Sequence, residues 1–168
     1  MRHKFKHLIA ASIMVTSSAV VHAKLQIGSA APGLKFSRWV KGKPIKALDA
    51  RKIYVVEFWA PWCKYCCDNM PLTTQLATKY TGKVTFLGMA VRPKGENYPQ
   101  QVTDFVKQWN SSMGYSVAVD DAAGTTYKTW MKTTNQRGIP TAFIVKNGRV
   151  AWIGHPVDLG AQLERAVP

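Results

Sequence analysis

Seven residues, Ile53-Tyr54-Val55-Val56-Glu57-Phe58-Trp59, are rich in β-branched and aromatic side chains and carry a single charge. That composition suits a buried central strand better than a helix. The chain then runs through Ala60-Pro61-Trp62 to Cys63 and Cys66, and apolar residues recur on helical spacing at Met70, Leu72, Leu76 and Ala77. A helix is therefore expected from Cys63 to about Tyr80, kinked at Pro71.

The same strand-then-helix order repeats. Val84 to Val91 reads as a second strand, followed by a polar loop with Pro93, Gly95 and Pro99, and by a helix over about Gln100–Trp109 with Val102, Phe105, Val106 and Trp109 on one face. Tyr115–Val119 is a short strand, and Asp120 or Asp121 can cap a helix to about Met131, with Tyr127, Trp130 and Met131 as core residues. Two strands, Thr141–Lys146 and Arg149–Gly154, are joined by Asn147-Gly148, a strong hairpin signal. A last helix covers about Leu159–Ala166. Before all of this, Gly28, Pro32, Gly33, Gly42 and Pro44 mark residues 26–50 as extended structure and a hairpin, an N-terminal extension on the core. Strands separated by helices pair in parallel and the terminal hairpin adds antiparallel strands. The expected fold is α/β, a mixed central sheet with helices on both faces.

At 168 residues and 46% hydrophobic content, one core is expected. Residues 1–23 read as an export leader: Arg2, Lys4 and Lys6 are basic, Leu8 to Val21 is mostly apolar, and Val21-His22-Ala23 resembles a cleavage point. The apolar stretch is interrupted by Thr16, Ser17 and Ser18 and falls short of the roughly 20 residues of a spanning helix, so the expected product, residues 24–168, is a soluble periplasmic or secreted domain. It would keep 20 basic residues against 9 acidic ones, a formal +11. The basic residues are scattered as singles and pairs, which argues against nucleic acid and leaves a solvated basic surface or acidic partners. In an exported protein disulfides persist, yet three cysteines are too few for a disulfide scaffold.

A cysteine at a helix N-terminus meets unpaired backbone N–H groups and the positive end of the helix dipole, which favour the thiolate. Cys66 is one turn away, close enough to close a small ring. The C-x-x-C spacing alone also serves zinc ribbons and c-type haem sites. Zinc is disfavoured because four ligands are usual and there is no second pair; covalent haem would need His where Cys67 stands.

Glu57-Phe58-Trp59-Ala60-Pro61-Trp62-Cys63-Lys64-Tyr65-Cys66, together with Arg137-Gly138-Ile139-Pro140-Thr141, resembles the thioredoxin superfamily. Ala30-Ala31-Pro32, the insert around residues 92–112 and Ile153-Gly154-His155 make it similar to the exported TlpA/ResA-like thiol-disulfide oxidoreductases, over about residues 28–165. The resemblance implies a thioredoxin-like fold in which Cys63 is the exposed nucleophile and Cys66 the buried resolving thiol. It also implies that Ile139 and a cis Pro140 face the pair and border the substrate, that Glu57 is a buried proton acceptor, and that Trp62 shields the sulfurs and touches substrate while Trp59 packs. Its substrates would be proteins bearing thiols or disulfides, with a membrane-bound thiol-disulfide electron donor if the direction is reductive, the commoner role among such proteins.

Lys64 and Tyr65 depart from the Gly-Pro or x-Pro pair of reducing members and are the candidate redox-tuning residues. A lysine charge favours the Cys63 thiolate and shifts the couple towards oxidation. Alternatives are an oxidant, an isomerase, for which no dimerisation domain is visible, or a thiol-based copper carrier using Cys67. Otherwise no cofactor or metal is expected, and a monomer is. Cys67 reads more simply as a small helix residue and His155 as a loop residue, while the loop from Arg92 to Pro99 lies at the strand ends where open α/β sheets bind ligands.

Overall fold

A computed structural model describes residues 24–134, 136 and 138–168. The expected leader, residues 1–23, lies outside them, as does Arg137 of the second motif. Among the described residues no helix is long and apolar enough to cross a membrane.

The elements follow in the order β1 (Phe36–Lys41), β2 (Ile53–Trp59), α1 (Lys64–Lys79), β3 (Val84–Ala90), α2 (Tyr98–Gln108), β4 (Ser116–Asp120), α3 (Thr125–Trp130), β5 (Thr141–Lys146), β6 (Arg149–Gly154) and α4 (Leu159–Ala166). They form one six-stranded sheet in the order β1-β4-β3-β2-β5-β6. β2 pairs in parallel with β3, and β3 with β4, whereas β5 runs antiparallel to β2 and β6 to β5. The mixed sheet is the one expected. Asn147 and Gly148 turn β5 into β6 with φ of 54° and 69°, the left-handed pair that a tight hairpin needs.

Residues 26–50 do more than precede the core. β1 pairs antiparallel with β4 and forms an edge of the sheet, and Ala30 bridges to Arg149 near the opposite edge. Neither pairing is visible as an alternating pattern, because β1 reads FSRWVK, its burial does not alternate, and two irregularities interrupt its register.

Alternation along β2 divides the core. Val55 and Trp59 pack on one face with α1, α2 and α4 through Met70, Leu76, Val102, Val106, Leu159 and Leu163. Tyr54, Val56 and Phe58 face the other side, covered by α3 and the N-terminal segment through Trp130, Leu25 and Leu34. There Phe58, Trp130 and Phe143 meet with centroids 5.1–6.0 Å apart, each burial stabilising the fold by about 2–3 kcal/mol.

Both aspartates singled out as caps serve α3. The Asp121 carboxylate accepts from Thr125 N–H at 2.7 Å. Asp120, buried at 6% exposure, accepts from the N–H groups of Asp121, Thr126 and Tyr127 at 2.8–3.0 Å. The helix consequently starts at Thr125, beyond the aspartates. Burial pushes the Asp120 carboxyl up, against these three hydrogen bonds. Asp120→Ala leaves buried N–H groups without an acceptor and is expected to cost about 2–3 kcal/mol in urea unfolding; a loss below about 0.5 kcal/mol would show that the cap is unimportant.

Candidate active site

β2 ends at Trp59, and its ladder continues one step further because Val91 N–H donates to the Trp59 carbonyl at 2.9 Å. Cys63 follows as the N-cap of α1 with extended backbone (φ −92°, ψ 99°). Its carbonyl accepts from the N–H groups of Cys66 and Cys67, and its Sγ accepts from Cys66 N–H at 3.2 Å. The sulfur at position 63 thus takes the place of a capping oxygen, facing the positive end of a 16-residue helix. Cys63 and Cys66 are joined as a disulfide with Cα atoms 5.2 Å apart.

The two cysteines differ in access. Cys66 is fully buried and Cys63 keeps 6% exposure. Cys63 is therefore the accessible member, although more enclosed than the exposed residue the resemblance implies. The enclosure comes from the sheet register: Phe58 pairs with Thr141, which sets Ile139-Pro140 just beyond the end of β2. That peptide bond is cis, and the Ile139 carbonyl oxygen lies 3.7 Å from Cys63 Sγ. Pro71 lies inside α1. Having no N–H, it leaves the Cys67 carbonyl without its intrahelical donor, one turn past the cysteines.

Glu57 shares the α1-facing side of β2 with Val55 and Trp59, and is 2% exposed. Its Oε2 accepts from Thr73 Oγ1 at 2.8 Å, and Thr73 lies on the buried stripe of α1, two turns from Cys66 and one from Met70. Among the described residues its Oε1 has no hydrogen-bond partner, and neither has Trp59 Nε1. Burial pushes the Glu57 carboxyl up to about 7, with the Thr73 hydrogen bond pulling the other way. Gly88, the β3 partner of Glu57, accommodates this crowding, since a Cβ there would come within 3.0 Å of Trp59 Nε1 and Tyr115. Burial, with Glu57 nearby, also holds the Tyr115 phenol in its neutral form.

Lys64, expected as a redox-tuning residue, has a partner of its own. Its ammonium pairs with Asp68 at 2.7 Å, one turn along α1, and its side chain is 80% exposed. Tyr65, 71% exposed, projects from the surface beside the pair. Cys67 is half-buried and unbridged, with Sγ 3.9 Å from the Pro61 carbonyl oxygen; burial, then Asp68, pushes its thiol up.

Trp62 is half-buried and has partners that sequence reading does not reveal. Its Nε1 donates to the Arg92 carbonyl at 3.1 Å. The Lys94 ammonium sits 3.9 Å from its ring centroid and the Arg92 guanidinium 5.5 Å. Two cations thus lie over the tryptophan that precedes the accessible cysteine. Arg92 is non-glycine at φ 56°, the one local sign of its special position, and φ is not readable from composition.

Known proteins are similar to this chain. The Thioredoxin family model matches residues 43–106. Protein FixW of Rhizobium leguminosarum is 28% identical over 86% of this chain and 67% of its own length. Thiol-disulfide oxidoreductase ResA of Bacillus thuringiensis subsp. konkukian is 30% identical over 76% of this chain and 68% of its own. The crystal structure of StoA from Bacillus subtilis superposes with a TM-score of 0.59 at 18% identity, covering 80% of this chain and 98% of that one, and shares the fold. On the extent of its likeness to ResA, the chain belongs to the thioredoxin-like thiol-disulfide oxidoreductases of the ResA type.

Proposed function

We propose that the protein, exported by its leader and acting as a soluble monomer, is a reductase of disulfides in other proteins. The observation that carries the assignment of roles is the unequal access of two cysteines at one helix N-terminus. The reduced Cys63 thiolate attacks a substrate disulfide, forming a Cys63–substrate bond and releasing one substrate thiolate. Cys66 then attacks Cys63 Sγ, the mixed disulfide breaks, and the substrate leaves as a dithiol while the pair becomes the Cys63–Cys66 disulfide. Two electrons pass to the substrate, and a membrane-bound dithiol donor returns them. The family resemblance supports the reductive direction. The same steps reversed would oxidise substrates.

Cys66 is sealed from solvent and must lose a proton before it attacks. Glu57 suits that task, having one oxygen held by Thr73, the other unpartnered, and a carboxyl that ionises near neutral pH. Ile139 and Pro140 border Cys63 where an extended substrate would lie, and Trp62 forms the adjoining wall.

Cys66→Ser is expected to accumulate a mixed disulfide on Cys63 with a protein partner from the exported fraction, whereas a Cys63→Ser variant captures none. Equal capture by both would contradict the assigned roles. For Glu57→Gln, resolution of the mixed disulfide at pH 7 is expected to slow by about a hundredfold and to lose the rise with pH that centres near 7 in the parent. Stability adds a second readout. A folded carboxyl raised to about 7 contributes stability fully present below about 4.5 and lost as pH rises through about 7. The parent should therefore lose roughly 3 kcal/mol relative to the Gln variant across that window. Parallel pH profiles would remove Glu57 from the mechanism.

A further inference from the structure

The carboxyl ends of β2, β3 and β4 all lie on one edge of the sheet, because these three strands are parallel neighbours. The redox pair follows β2. Beyond the ends of β3 and β4 opens a cavity of about 450 Å³, within the size range of ligand pockets. Its floor is largely apolar, with Ala90, Tyr98, Val119 and Tyr127 among the lining residues, and Arg92, Lys128 and Lys132 stand around it. All three cations are exposed, and among the described residues none makes an ion pair. Asp120 and Asp121 also line the cavity, but their carboxylates are taken by backbone N–H groups at the start of α3.

Arg92 joins the cavity to the redox pair. It lines the cavity, while its guanidinium lies over the Trp62 ring and its carbonyl holds the Trp62 indole. Arg92 is therefore shared by the cavity and by the tryptophan beside Cys63. β3 and β4 stand about 5 and 10 Å from β2, a span covered by about three extended residues. The occupant that fits is a polypeptide whose apolar side chain fills the floor and whose carboxylate meets the cations.

We propose that this cavity is a specificity subsite for the polypeptide substrate, taking an apolar residue paired with an acidic one about three residues from the substrate cysteine. The proposal rests on the reading of the chain as an oxidoreductase of protein disulfides and adds the class of sequence it prefers. A subsite of this kind selects among substrates that present equally reactive disulfides. It also gives the basic excess of the chain a local purpose, since Arg92, Lys94, Lys128 and Lys132 form no ion pair among the described residues.

The test uses three synthetic peptides, each with one cysteine in mixed disulfide with glutathione and carrying Phe-Glu, Phe-Lys or Ala-Glu three residues away, made in both orientations. The reduced protein should react with the Phe-Glu peptide, in one orientation, about fivefold faster than with the Phe-Lys or the Ala-Glu peptide. Lys128→Glu combined with Lys132→Glu, both at the surface, should abolish or invert the preference for Glu over Lys. Lys83→Glu alters charge at the amino end of β3, away from the cavity, and should leave the preference in place. Equal rates for the three peptides, or the same change from Lys83→Glu as from the cavity variants, would overturn the subsite and leave the oxidoreductase reading intact. No reaction with any peptide would overturn that reading, and the subsite with it.

Discussion

The redox edge of this molecule depends on β2 being paired on both sides along almost its whole length. Seven residues of β2 pair with β3 and five with β5. That ladder is what lets two motifs separated by 74 positions, Cys63-x-x-Cys66 and Ile139-Pro140, converge. Pairing of Phe58 with Thr141 leaves Pro140 no position other than beside the end of β2. A shift of one residue would invert the faces of the strand, moving Glu57 and Trp59 away from α1 and Phe58 out of its aromatic cluster. Register is held by both packed faces, so the geometry at the cysteines is set by burial some distance from them.

On that frame the electrostatics divide between two groups of opposite character. At the surface the N-terminus of α1, with Arg92 and Lys94 over Trp62, makes the surroundings of Cys63 favourable to negative charge. Behind it, Cys66 and Glu57 lie in an apolar interior that disfavours charge and keeps the carboxyl protonated up to about pH 7. The proposed two-step exchange uses that contrast, with Cys63 as a ready nucleophile and Cys66 as a resolving thiol that waits for a proton acceptor. Cys67, directly next to Cys66, belongs to neither group: its thiol is turned to the Pro61 carbonyl and burial disfavours its ionisation.

Much of this is legible in the residues themselves where a local rule and the tertiary structure agree. The apolar run of β2, the Asn147-Gly148 hairpin and the span of α4 need no information from elsewhere in the chain. Departures come where distant parts decide. β1 is hidden because an edge strand with charged residues and irregular register carries no alternation. α2 starts at Tyr98 rather than near Gln100 because Asn97, at φ 52°, turns the chain into it with Pro99 in the first turn. Within the site, the cysteines, Glu57 and Pro140 are marked by their motifs. The contact of Arg92 and Lys94 with Trp62 spans about 30 positions and depends on an unusual backbone angle. Spacing along the chain encodes the redox pair; the charges that surround it are encoded by the fold.

Whether the N-terminus of α1 selects Cys63 as the nucleophile is decided by alkylating the reduced protein with iodoacetamide at pH 7 and mapping the label over time. Cys63 is expected to be modified at least about tenfold faster than Cys66 or Cys67. Labelling of Cys66 or Cys67 at a rate equal to or above that of Cys63 would contradict it.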